Sequence, residues 1–102
     1  MIEYIRDEVS QEELLAQLGE EAIELAHAAL KMRRVLDGRN PTPVRMSEAW
    51  ANLQEEVADV LLCLRVLDID IFDPTVYRTQ EEKLDRWAGR LLEREADFNG
   101  EG

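Results

Sequence analysis

Leu14, Leu18, Ala22, Leu25, Ala29, Met32 and Leu36 recur at steps of three and four, so the first long pattern in the chain is an amphipathic helix. Leu15, Ala26 and Leu30 widen this stripe on one flank, while Glu21 lies on its other border with Glu24 beyond it. Ser10 and Glu13 have capping-box spacing ahead of the stripe and Asp37-Gly38 supplies a stop, so the predicted helix runs from Gln11 to Leu36. Asn40-Pro41 and Pro43 make Arg39 to Met46 a loop. A second helix is predicted from a cap at Ser47 to about Leu67, with Ala49, Leu53, Val60, Cys63, Leu64 and Leu67 on one apolar face. Asp68 to Phe72 reads as a connector whose Ile69, Ile71 and Phe72 tuck back onto the helices while Asp68 and Asp70 stay wet. Asp73-Pro74 has the order of a cap followed by a first-turn proline, so a third helix starts there and runs to about Ala96. Thr75, Val76, Tyr77 and Thr79 are mediocre helix formers, which predicts a break near Thr79. Asn99 to Gly102 reads as a frayed tail. With no strand-period segment, the expectation is an all-α fold: one helical domain over residues 1–98 and a tail over 99–102.

Composition narrows the partners. The chain has 102 residues, 45% hydrophobic and 34% charged, enough for one domain with a modest core that oligomerisation would supplement. Its 23 acidic against 12 basic residues give a net charge of -11, which argues against a nucleic-acid or anionic-membrane surface, since both need clustered cations. The longest apolar run, Val60 to Leu67, is interrupted by Arg65, so no membrane span is expected. Met1 to Arg6 lack the apolar core of a signal peptide, and the expected location is the cytoplasm. Cys63 has no partner for an internal disulfide and reads as a small core residue.

The candidate chemistry lies in two acidic pairs. Glu21 with Glu24, and Glu56 with Asp59, have the three-residue spacing that aligns carboxylates along one helical face. Such pairs also arise by chance in an acidic chain; Glu12-Glu13, Glu81-Glu82 and Glu93 with Glu95 fit ordinary solvated faces. Glu56 is different because its wheel neighbours are Ala49, Leu53, Val60 and Cys63, and an unpaired carboxylate facing a core costs several kcal/mol. Either a cation or an arginine such as Arg33, Arg34 or Arg65 would offset that cost. Packed antiparallel, the two helices would bring the four carboxylates together as hard oxygen ligands suited to Mg²⁺ or Mn²⁺. Glu20 and Glu55 sit beside them as auxiliary ligands, a base, or solvated charges, and Asn52 lies one turn before Glu56.

Glu24-x-x-His27 matches half of a di-iron helical motif, but the chain has one histidine and the second pair ends in Asp59, so oxygen-activating iron is not expected and His27 reads as a surface residue. Lys83, Arg86 and Arg90 form a basic strip at helical spacing that would hold phosphates, or pair with Glu82 or Glu93 on the same helix or with acids on neighbouring helices. Trp50 and Trp87 could stack a base, although a core or interface role is the commoner use of tryptophan.

Glu20-Glu21-x-x-Glu24 followed by Glu56-x-x-Asp59 resembles the MazG-like all-α nucleoside triphosphate pyrophosphohydrolases. Leu18 to Leu25 is similar to that family's first metal helix and Glu55 to Leu61 to its second; Ile69-Asp70, Lys83 and Arg86 resemble its closing segment. The resemblance implies Mg²⁺-dependent cleavage of a (deoxy)nucleoside triphosphate between its α and β phosphates, giving a monophosphate and pyrophosphate. It implies Glu21, Glu24, Glu56 and Asp59 as metal ligands, Glu20 or Glu55 as the base, and Lys83 and Arg86 on the phosphate tail. Asn52 and Trp87 complete the expected substrate contacts. It also implies a homodimer or homotetramer with a four-helix core. No base-specific pattern is seen in Asn40 to Pro43 or Val76 to Glu82. The competing readings are a noncatalytic helical interaction module, a carboxylate-bridged redox protein, and a pyrophosphohydrolase acting on a phosphoribosyl-nucleotide of histidine synthesis.

Overall fold

The computed structural model describes residues 1–38 and 45–100; most of the expected proline-rich loop and the last two tail residues lie outside them. Every element among the described residues is an α-helix: α1 (Ile2–Glu8), α2 (Gln11–Asp37), α3 (Met46–Val66) and α4 (Pro74–Gly100). The chain divides into two compact units, Met1–Ile69 and Asp70–Gly102. No helix among the described residues is long and apolar enough to cross a membrane.

In the first unit, α2 is bounded as the pattern predicted. Ser10 Oγ accepts from the Glu13 N–H at 3.1 Å, the first half of the capping box, and Gly38 ends the helix with φ 74°, its N–H on the Arg34 carbonyl. A left-handed residue at this point closes the last turn, and glycine adopts it without a Cβ clash. α3 begins two residues earlier than expected: Arg45 is the extended N-cap, no side chain caps it, and Ser47 falls inside the first turn. Its other end is a Schellman motif, with the Ile69 N–H on the Leu64 carbonyl at 2.9 Å and the Asp68 N–H on Arg65 at 3.1 Å. Asp68 takes the left-handed position at φ 60° that glycine usually fills.

α1 was not expected, and it works with that terminus. Ile2, Ile5 and Val9 are half-buried at steps of three and four, and α1 packs on α3. From it, Arg6 donates through Nε to the Val66 carbonyl at 2.7 Å and through Nη2 to the Arg65 carbonyl at 3.0 Å. Two carbonyls at the negative end of α3, that of Arg65 already accepting from the Asp68 N–H, thus receive a guanidinium fork, and Asp68 Oδ1 lies 3.9 Å from Nη2.

α2 and α3 pack antiparallel, the start of α2 at Gln11 and Leu14 sharing a concavity with Val66, Leu67 and Asp68 at the end of α3. Ala28 and Ala49 are each only 2% exposed, small residues that let the backbones approach. Met32 and Val66 are the other buried apolar side chains among the described residues, so this core is narrow. The α3-facing side of α2 is also rotated from the centre of its apolar stripe. Ala28 and Met32 are buried and Glu21 is half-buried, whereas Ala22, Ala26, Ala29, Leu30 and Leu36 are exposed. Glu21 is therefore central to the packed face rather than on its border, because the stripe is wider than one neighbouring helix covers.

In the second unit, Asp70 Oδ1 accepts from the Phe72 N–H at 2.9 Å, an Asx turn, and Asp73 Oδ1 accepts from the Thr75 N–H at 2.8 Å, which makes Asp73 the cap and Pro74 the first residue of α4 as expected. Ile69, Ile71 and Phe72 are exposed rather than tucked back. α4 runs unbroken through Thr79 and includes Asn99 and Gly100. Propensity deficits of a few tenths of a kcal/mol per residue do not stop a helix that the stronger segment after it propagates.

Candidate functional site

Glu21 stands two turns before Ala28 on α2, and Glu56 stands two turns after Ala49 on α3. In an antiparallel pair held at those two alanines, the glutamates arrive at the same level. One carboxylate oxygen each from Glu21, Glu56 and Asp59 lies within 4.8 Å of the others, and all three residues are half-buried. Gln17, one turn before Glu21, donates from Nε2 to Glu21 Oε1 at 2.7 Å and orients that carboxylate. Its four-residue spacing from Glu21 was visible in the sequence but was not used there.

The remaining expected residues are placed by the turn of about 100° per residue. Glu24 is exposed on the same edge of α2, outside the group of three, and Glu20 lies further round it. On α3, Asn52 is half-buried on the side of Asp59, and Glu55 is exposed beyond it. The opposite flanks are apolar and exposed at Leu15 on α2 and at Met46, Trp50, Val57 and Leu61 on α3, and Ile23 and Leu30 are exposed on the side of α2 away from α3. Because the helices are antiparallel, these flanks fall on one side of the hairpin and the carboxylates open on the other. His27 is exposed, as expected.

Electrostatics mark Glu56 as the strained member. Its pKa is raised, first by partial desolvation and then by the like charges of Asp59, Glu21, Glu24 and Glu55. No lysine, arginine or histidine among the described residues lies within 4.0 Å of its carboxylate, so Arg33, Arg34 and Arg65 do not supply the alternative ion pair. Cys63, one helical turn past Asp59, is half-buried, and its thiol pKa is pushed up by burial, then by Glu21 and Asp59. The expected core cysteine thus borders the acidic group.

The donor set fits a hard divalent cation. Oxygens sharing an octahedral Mg²⁺ lie roughly 3 Å apart when cis and roughly 4.2 Å when trans, so carboxylates spread over up to 4.8 Å would have to draw together to share one ion. Three carboxylates and no nitrogen or sulfur ligand among them favour Mg²⁺ or Mn²⁺ over softer metals.

Lys83, Arg86 and Trp87 belong to the second unit, where with Arg90 they line one concavity on the surface of α4. No ion pair within 4.0 Å neutralises this strip among the described residues, so the alternative of pairing with Glu82 or Glu93 is not formed. Compared with models of protein families, with curated proteins and with solved structures, the chain matches none.

Proposed function

We propose that this all-α protein is a divalent-metal-dependent nucleoside triphosphate pyrophosphohydrolase of the MazG-like kind, cleaving a (deoxy)nucleoside triphosphate to its monophosphate and pyrophosphate. The observation that carries the reading is the convergence of Glu21, Glu56 and Asp59 from two helices, with no cationic side chain against Glu56 among the described residues. Glu21, Glu56 and Asp59 would hold Mg²⁺, with Mn²⁺ as a substitute, and Glu24 would join them from the same edge. Bound there, the ion would neutralise phosphate charge and acidify a water. Gln17 holds Glu21 in place, and the apolar surroundings of Glu56 limit its hydration, which strengthens its attraction for a cation. Glu20 and Glu55, exposed on the outer rim, are the candidates to accept the proton of the attacking water. Asn52, half-buried on the side of Asp59, is proposed to hydrogen-bond a substrate oxygen or support that carboxylate. Lys83 and Arg86 are proposed to hold the phosphate tail. Trp87 is the base-stacking candidate. The uncovered apolar flank of the hairpin supports assembly as a homodimer or homotetramer.

The test is pyrophosphate release from a panel of canonical and modified nucleoside triphosphates, with and without Mg²⁺, comparing the parent with Glu56→Ala. Metal-dependent turnover lost in the variant supports the reading. A folded parent that releases no pyrophosphate from any nucleotide contradicts it and favours a noncatalytic interaction module.

A further inference from the structure

Charge is spread unevenly along the α2–α3 hairpin. Five of the 12 basic residues of the chain fall within residues 31–45, against one of its 23 acidic residues, so the turned end of the hairpin is cationic in a chain of net charge -11. Two of these cations lie on the edge where the carboxylates open. Lys31 follows Glu24 by seven residues and Arg45 precedes Asn52 by seven, about two turns in each case, which returns them to the same side of their helices. They also share a level, because Lys31 is three residues beyond Ala28, Arg45 is four before Ala49, and those buried alanines set the register of the antiparallel pair. Lys31 is half-buried and Arg45 exposed, and neither forms an ion pair within 4.0 Å among the described residues, Glu48 of the same edge included. We propose that Lys31 and Arg45 are the entry point for the polyphosphate end of the substrate, capturing it at the turned end of the hairpin and steering it along this edge to the carboxylates.

This inference rests on the nucleotide reading above and adds a path of entry to it. A nucleoside triphosphate is a multiply charged anion, and a molecule of net charge -11 repels it unless positive charge lies on its path. Screening decides which charge it meets. At a rise of 1.5 Å per residue, Lys31 stands about 10 Å from Glu24 and about 15 Å from Glu21 along the axis of α2. The Debye length at physiological ionic strength is about 8 Å, so an anion at the turned end is attracted by the cations there more than it is repelled by the distant acids. The same gap means that neither group neutralises the other, and the carboxylates stay available to a metal. Arg33 and Arg34, exposed on the other sides of α2, add to the field at this end without lying on the edge. Lys83 and Arg86 are assigned to the bound tail, whereas Lys31 and Arg45 act on its approach, and so on KM rather than on kcat. Steering of this kind changes association rates by roughly 10- to 1,000-fold and weakens with salt.

Two measurements on the full chain test it: pyrophosphate release in Mg²⁺ from the nucleoside triphosphate that the parent turns over best, and isothermal titration of inorganic tripolyphosphate with Mg²⁺ present. At about 50 mM salt, Lys31→Glu combined with Arg45→Glu is expected to lower kcat/KM and to weaken tripolyphosphate binding, each by about tenfold or more, with kcat within about twofold of the parent. Both differences should shrink below about threefold near roughly 500 mM salt, where the Debye length is about 4 Å. Arg65→Glu, two and a half turns after Glu56 and so on the opposite face of α3, should leave both measurements within about twofold. Circular dichroism checks helix content, and Lys31→Gln with Arg45→Gln is the milder pair should charge reversal disturb folding. Turnover by the parent with the double variant unchanged in both measurements overturns this inference and leaves the pyrophosphohydrolase reading standing. A loss that persists undiminished at high salt, or that Arg65→Glu matches, also overturns it, because the effect is then structural or one of net charge alone. A folded parent that binds tripolyphosphate through the two cations but releases no pyrophosphate overturns the substrate named here together with that reading.

Discussion

Glu56 is partly desolvated and held among like charges, and this sets the pH dependence of its contribution. Its folded pKa lies above the ordinary value, so between the two values the folded state binds more protons than the unfolded state, and stability falls as pH rises through that window. The contribution is most favourable below the ordinary carboxylate range, near 4.5, and the full cost is present above the raised folded value. Thermal unfolding without metal should therefore give Glu56→Gln a higher Tm than the parent at neutral pH, the difference shrinking on acidification through the window. An equal or lower Tm for the variant at neutral pH would show that Glu56 is not strained. Asp68 is a second residue under local cost, a non-glycine side chain at φ 60°. Asp68→Gly should stabilise the protein by about 0.5–1 kcal/mol in urea unfolding, since it relieves the left-handed strain and loses only a long, exposed contact with Arg6. The inward position of Glu56 was legible from its neighbours at steps of three, four and seven, but the central position of Glu21 was not. The apolar stripe of α2 is wide enough for two partners, and a wheel does not show which part the first partner takes.

At the scale of elements, the long helices were legible because their periodicity extends over many turns and their stops are chemical: Ser10, Gly38 and Asp73-Pro74. α1 was not. Its seven residues are too few to offset helix nucleation alone, and its key contact joins Arg6 to carbonyls about sixty positions away. The connector residues Ile71 and Phe72 misled in the opposite sense, because apolar character in a sequence gives no partner to cover it. The Arg6 contact gives a prediction at this scale. Arg6→Ala removes two hydrogen bonds from the end of α3 and should cost about 1–2 kcal/mol, discounted for partial exposure, while Arg6→Lys should recover little because an ammonium lacks the fork. Loss of stability by the alanine variant that lysine fully restores would mean that charge, not geometry, secures α1.

At the scale of the molecule, few of the described side chains are buried and much apolar surface stays open among them, so external binding has a large effect on stability. A cation present at ten times its dissociation constant adds about 1.4 kcal/mol, worth several degrees of Tm in a domain of this size. The all-α class and the neighbourhood of the candidate site could be read from the sequence; the spread of carboxylates between an inner three and an outer Glu24, Glu20 and Glu55 could not, because it depends on the rotation of α2 against α3. The central claim is that this arrangement binds a divalent cation that serves a nucleotide. Isothermal titration of Mn²⁺ and Mg²⁺ into the parent and Glu56→Gln, with and without a nonhydrolysable nucleoside triphosphate analogue, tests it most directly. The account predicts saturable metal binding by the parent, strengthened by the nucleotide and reduced at least tenfold in the variant. Parent and variant binding metal equally, or neither binding it with nucleotide present, would contradict the account.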